Sequence, residues 1–197
     1  MNLNEALQRF GDLLDSRLKR CVFTTEDSAR YTFFAALLDV GVRPHEVILE
    51  YPHPAIDRAQ VDTWLPEFGS SGLAVEFKYD RAIPSGRNSP RTQKAGKLFH
   101  DLYRLGLMAH QCHCLFVYLT CSEMSRYFAN GSNNLLDFYN LSVGSCLQID
   151  SEYMSGRPIT FLRSAGGSPS VTITCQLSRD LAGNHALRAY EVGVSAS

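Results

Sequence analysis

The chain has 197 residues, of which 45% are apolar and 20% charged, and its net charge is −1. That balance belongs to a folded chain with a core, and it excludes both a disordered segment and a polycation that coats nucleic acid through its overall charge. No apolar run approaches the roughly 20 residues of a membrane span, so no membrane partner is expected. Leu7, Phe10, Leu14 and Leu18 recur at three- and four-residue steps, which predicts an amphipathic helix over Asn4–Arg20. A second helix is expected from Thr24 or Thr25, with Glu26 and Asp27 in its first turn and an apolar stripe of Tyr31, Phe34, Leu37 and Leu38. Gly41 stops it, and Glu46–Tyr51 reads as a strand closed by Pro52 and Pro54.

Gln60–Tyr79 carries the chemistry. Two β-rich arms, Gln60–Leu65 and Leu73–Tyr79, flank a turn that holds Gly69, Ser70, Ser71 and Gly72. With the turn centred near Gly69, an antiparallel register sets Asp62 opposite Glu76, with Cβ atoms about 5 Å apart. Alternation then places Lys78 on the face of Glu76, while Val75 and Phe77 turn to the other side. Two acids and an amine on one face make a site for a hard cation with a positive group at its edge. Trp64, beside Asp62, is expected as core packing, or as an aromatic that stacks on a base.

Residues 81–92 form a Pro/Gly/Ser/Asn loop, expected to be exposed. A helix over Thr92–Leu107 follows, with Leu98, Leu102 and Leu105 on one side, and then a short buried strand, Leu115–Leu119. Strand, helix and strand from Leu73 to Leu119 form a βαβ unit, which predicts parallel strands. Beyond Thr120 the pattern predicts short helices over Ser122–Ala129 and Asn133–Tyr139. Three β-rich stretches follow, near Pro158–Leu162, Val171–Leu177 and Leu187–Val192, read as an antiparallel extension of the same domain. The first ten residues, MNLNEALQRF, have no basic and apolar leader pattern, so the six cysteines are expected as reduced, buried thiols in a cytoplasmic chain. The Cys112-His113-Cys114 spacing does not suit a zinc knuckle.

The order helix, strand, hairpin, helix, strand, with Asp62 and Glu76-Phe77-Lys78 on the hairpin, resembles the PD-(D/E)xK nuclease superfamily over about 24–120. Val61 stands where the family's motif name has proline. The resemblance implies an α/β fold with a restriction-endonuclease-like core, a mixed central sheet flanked by helices, and here a C-terminal β-rich extension over about 145–193 of one domain, 1–197. It implies a metal-dependent endonuclease that hydrolyses phosphodiester bonds in DNA, with RNA left open, in a prokaryotic defence or mobile-element setting, often as a homodimer or with a partner protein. Asp62, Glu76 and the Phe77 backbone carbonyl would hold Mg²⁺ or Mn²⁺, and Lys78 would orient a water or neutralise developing charge. Glu26 matches an extra acid that some members carry, and Gln93 a polar residue often found in the following helix. Glu26 would ligate a second metal or orient a water, or serve only its helix N-terminus, and Arg30 stands one turn on, where it can pair with it.

Between Lys78 and Arg104 lie seven basic residues, Lys78, Arg81, Arg87, Arg91, Lys94, Lys97 and Arg104, against Asp80 and Asp101. Arg81, Arg87, Arg91, Lys94 and Lys97 are the expected phosphate contacts, with Lys94 and Lys97 near a helix N-terminus. Three rival readings stand beside the nuclease. The acids and Lys78 could be a solvent-facing stripe of cross-strand ion pairs. The same fold could serve as a non-catalytic nucleic-acid-binding or assembly subunit. Or the C-terminal β-rich third could dominate, as a ligand- or protein-binding domain.

Overall fold

The computed structural model describes residues 2–81, 91–167 and 170–194. Asn2 caps α1 (Leu3–Lys19) by accepting the amides of Asn4 and Glu5. Thr25 caps α2 (Glu26–Asp39) by accepting the amide of Ser28. Each cap satisfies helix-start amides that have no partner within the helix. The buried side of α2 is Ala29, Phe33, Ala36 and Leu37. The expected stripe is corrected in part: Leu37 is buried, but Tyr31 is 64% and Leu38 36% exposed. Apolar residues occur all round this helix, so its periodicity does not single out the face that packs.

The segment expected as one strand over Glu46–Tyr51 divides. Pro44–Glu46 forms a 3-10 turn in which the Glu46 carboxylate accepts the Arg43 amide, and β1 (Ile48–Pro52) begins two residues later. The hairpin appears as β2 (Gln60–Leu65) and β3 (Leu73–Asp80), and where the strands pair they keep the register expected, Thr63 with Val75 and Leu65 with Leu73, but the expected Asp62/Glu76 pair lies one step beyond the end of the ladder. Gly72 has φ +82°, and a Cβ there would lie 2.3 Å from the Trp64 ring. The turn therefore needs glycine on both counts. Next come α3 (Arg91–Gly106) and β4 (His113–Thr120), and β3 and β4 pair in parallel from Leu73/His113 to Asp80/Thr120. Most of the expected 81–92 loop lies outside the described residues.

The later chain adds α4 (Ser122–Ala129), α5 (Leu136–Tyr139), β5 (Cys146–Ile149), α6 (Ser151–Met154), α7 (Ile159–Ala165), β6 (Val171–Leu181) and β7 (His185–Val194). These strands complete the sheet: β7 pairs with β4, and the seven strands run β1-β2-β3-β4-β7-β6-β5. The chain is thus α/β, with one mixed sheet flanked by helices. One expected strand is wrong. Pro158–Leu162 is the start of α7, whose packing on α3 overrides the β-propensity of Ile159, Thr160 and Phe161. The close approach is made at Gly96 of α3, where a Cβ would meet the Phe161 carbonyl oxygen at 2.5 Å. Backbone cannot yield cheaply, so Gly96→Ala is expected to cost about 1–3 kcal/mol. A lowered urea midpoint shows it; an unchanged midpoint would mean that α7 does not pack here.

The sheet has two apolar faces. On one, α1 and α2 bring Phe10 and Phe33 against Phe77, with ring centroids 5.4–6.3 Å apart and edge to face. On the other, α3 and the later helices cover Phe116 and Tyr118 with Phe99, Phe128 and Phe138. From Cys114 to Thr120 every residue of β4 is buried, as a central strand covered on both faces requires. Cys112, Cys114, Cys121 and Cys175 are buried free thiols, but Cys21 and Cys146 are exposed, which corrects the expectation for those two. Among the described residues no helix is long and apolar enough to cross a membrane.

Candidate functional site

The ladder between β2 and β3 stops at Thr63/Val75, although β2 begins at Gln60 and β3 runs on to Asp80. The β3 amides that face this opening still need acceptors. Side chains supply them. Asp62 Oδ2 accepts the Phe77 amide at 2.8 Å, and Glu26 Oε2 accepts the Tyr79 amide at 2.8 Å. In such a ladder a residue's amide and carbonyl face the same neighbour, so the Phe77 carbonyl also faces the opening. β1 loosens at the same level. It pairs with β2 on either side of Glu50, but Glu50 itself, opposite Asp62 in that register, has φ +54° and drops out of the ladder.

The cations interleave with the acids. Arg30 Nη1 lies 3.3 Å from Asp62 Oδ1 and 3.7 Å from Glu50 Oε1, and Arg30 also pairs with Asp27. The expected Arg30–Glu26 pair is replaced by these contacts, because Glu26 is held on β3. Lys78 Nζ lies 3.2 Å from Asp101 Oδ2. Arg104 Nη1 is 3.7 Å from both Glu76 Oε1 and Asp101 Oδ1, and Arg104 Nη2 donates to the Gln60 carbonyl at 3.0 Å. The cluster is half-buried, neither a deep core nor a solvated stripe.

That burial decides the protonation chemistry. Desolvation pushes the Glu76 carboxyl up to about 8, with Asp62 and Asp101 adding repulsion and Arg104 opposing it. Desolvation also raises Asp62, against the Phe77 amide and Arg30, and raises Glu26, against the Tyr79 amide. For Lys78 burial works against the charge, but the Asp101 and Glu26 carboxylates outweigh it and its pKa is raised. Lys78 is therefore a fixed cation at neutral pH, suited to holding negative charge and unsuited to accepting a proton.

Of the sequence-predicted residues, Asp62, Glu76, Lys78, Glu26 and the Phe77 backbone come together here. Gln93 lies half-buried in the first turn of α3, two turns before Asp101, and no hydrogen bond links it to the acids. Arg81 lies just past the end of β3, its guanidinium carbon 4.6 Å from the Phe23 ring centroid. Lys94 donates to the Arg81 carbonyl at 3.3 Å, Lys97 is exposed, and Arg91 pairs with Glu123 at 2.8 Å. Arg87 lies outside the described residues. Trp64 stacks on Tyr51 at 5.3 Å.

Sequence reasoning missed four members: Asp101, Arg104, Glu50, and Arg30 as the partner of Asp62 and Glu50. Asp101 had a visible signal. It falls within the Leu98, Leu102, Leu105 stripe, at the i+3 position from Leu98, where a carboxylate is buried and needs a cation.

Among the described residues no three carboxylate, imidazole or thiol side chains stand close enough to hold a metal ion by themselves. A hard cation would rest instead on Asp62 and Glu76, the Phe77 carbonyl and water, a donor set that suits Mg²⁺ because Mg²⁺ keeps several waters. The raised carboxyls fit such an ion, which would offset their mutual repulsion. No family model, no curated protein and no solved structure matches the chain.

Proposed function

We propose that the chain is a metal-dependent nuclease of the PD-(D/E)xK kind, hydrolysing phosphodiester bonds in DNA. The observation that carries the reading is the convergence of Asp62, Glu76, Glu26 and Lys78 in the opening between β2 and β3. The order α2, β1, β2, β3, α3, β4, with β1 to β3 antiparallel and β4 parallel to β3, supports a restriction-endonuclease-like core.

Each residue then has a role that follows from its place. Asp62 and Glu76, with the Phe77 carbonyl, would hold the cation. Mg²⁺ or Mn²⁺ bound there would supply charge stabilisation at the scissile phosphate and a more acidic water. Lys78, kept charged by Asp101 and Glu26, faces the phosphate oxygens on which negative charge grows. Asp101 and Arg104 hold Lys78 and Glu76 in place. Glu26 fixes the edge of β3 through the Tyr79 amide and orients a water with its other oxygen.

A second reading has its own observation. Arg30 pairs with Asp62, and Asp62 and Glu26 already cap β3 amides, so the acids have structural employment without any metal. That favours a non-catalytic nucleic-acid-binding subunit. Cleavage of linear, supercoiled and single-stranded DNA, with Mn²⁺ or with EDTA, separates the two. The nuclease reading expects cutting only with metal; binding without any cutting belongs to the second.

A further inference from the structure

Phe23 lies in the link between α1 and α2 and is 69% exposed. Its backbone is pinned: Arg17 Nη2 donates to the Phe23 carbonyl at 2.9 Å, and Arg17 Nε donates to Thr24 Oγ1 at 3.2 Å. The Arg81 guanidinium lies over the ring, 4.6 Å from its centroid. Arg81 is two residues past Tyr79, whose amide Glu26 holds. Phe23 is three residues before Glu26, so its Cα lies within about 10 Å of the Glu26 Cα, the reach of three extended residues. Lys94 reaches into the same corner through the Arg81 carbonyl. A held aromatic ring, an arginine against it, and a lysine beside them make the combination that binds unpaired nucleotides: bases stack on the ring, and the cations follow the phosphates. Isolated exposed apolar residues are ordinary on protein surfaces. Phe23 differs in being clamped by a guanidinium, at the rim of the carboxylate and lysine cluster.

We propose that the Phe23 ring, backed by Arg81, is a stacking surface for a base in a single-stranded segment of the nucleic acid that the carboxylate–lysine site acts on. This rests on the nuclease reading and narrows it. A base inside a duplex has both faces covered by its neighbours and offers nothing to Phe23. The substrate is then a single strand, or a duplex with an unpaired end or flap. Trp64 does not serve, because its ring is taken up by Tyr51 and by the turn at Gly72.

The test is fluorescence anisotropy in EDTA, where nothing is cut, with a labelled 20-nucleotide oligothymidylate and a labelled 20-base-pair duplex. Phe23→Ala is expected to weaken oligothymidylate binding about 5- to 150-fold, the worth of one stacked base, and to change duplex binding by less than about twofold. Phe23→Trp is expected to restore the lost affinity. The ring is exposed, so Phe23→Ala keeps the fold, which circular dichroism checks. Unchanged oligothymidylate binding in Phe23→Ala, an equal loss on both probes, or no oligothymidylate binding by the wild type would each overturn the proposal. The two claims fail separately. Metal-dependent cutting with binding that ignores Phe23 removes only the stacking surface; Phe23-dependent binding without cutting removes only the nuclease.

Discussion

Lys78→Ala is expected to slow metal-dependent DNA cleavage by about 10²–10³-fold, the usual worth of one preorganised positive group facing charge that develops in the transition state. Lys78 is only 25% exposed along its side chain, and Asp101 only 12%, so the ammonium is held at 3.2 Å by an acid that is itself largely out of water. Asp101 and Glu26 keep Lys78 protonated, so its contribution is electrostatic and constant through neutral pH. The loss belongs in kcat, with DNA affinity little changed, because one phosphate contact among several basic residues adds little to binding. Removing the ammonium leaves Asp101 with Arg104 at 3.7 Å, so folding survives at a cost of about 1–3 kcal/mol. Urea unfolding separates that cost from the chemistry. Cleavage by Lys78→Ala at the wild-type rate would remove Lys78 from the mechanism.

The second large effect is on stability against pH. In the unfolded chain Glu76 titrates near 4.5, and in the folded state near 8. Between those values the folded chain holds a proton that the unfolded chain has released, so stability falls as pH rises. The contribution of neutral Glu76 is fully present below about 4.5 and is lost by about 8; at 1.36 kcal/mol per pH unit it amounts to at most about 5 kcal/mol. Asp62 and Glu26 are raised too and slope in the same direction. Glu76→Gln stays neutral throughout. Its metal-free stability should fall less between pH 5 and 8, leaving it the more stable protein at pH 8. Urea midpoints at pH 5, 6.5 and 8 decide it, and parallel curves for the two proteins would show that Glu76 is ionised in the fold.

Much of this site is legible in the sequence for a local reason. Pro66, Gly69 and Gly72 bound the turn, the turn sets the register, and the register brings Asp62 to the level of Glu76 and Lys78. The parallel β3/β4 pair is legible because a helix-length segment separates two β-rich runs. What sequence could not supply depends on how separate elements meet. Arg30 and Asp62 are 32 positions apart and touch only because α2 packs beneath the opening in the sheet. Glu26 is expected at the site, but its hold on the Tyr79 amide follows only from β2 leaving that amide without a strand partner. Asp101 needed its place in the leucine stripe read as a buried charge rather than as an interruption. The Ile159–Ala165 helix defeats local reasoning, since β-prone residues there are held helical by the approach to Gly96.

The claim on which the rest depends is that Asp62 and Glu76 hold a hard cation. Isothermal calorimetry of Mn²⁺ into the metal-free protein at pH 8, repeated in two buffers of different ionisation enthalpy, tests it without any nucleic acid. The wild type is expected to bind Mn²⁺ with release of protons from the raised carboxyls, and Asp62→Asn to lose at least about tenfold in affinity. No Mn²⁺ heat from the folded wild type, or the same heat from Asp62→Asn, would contradict it and leave the carboxylates as struts for the open edge of β3.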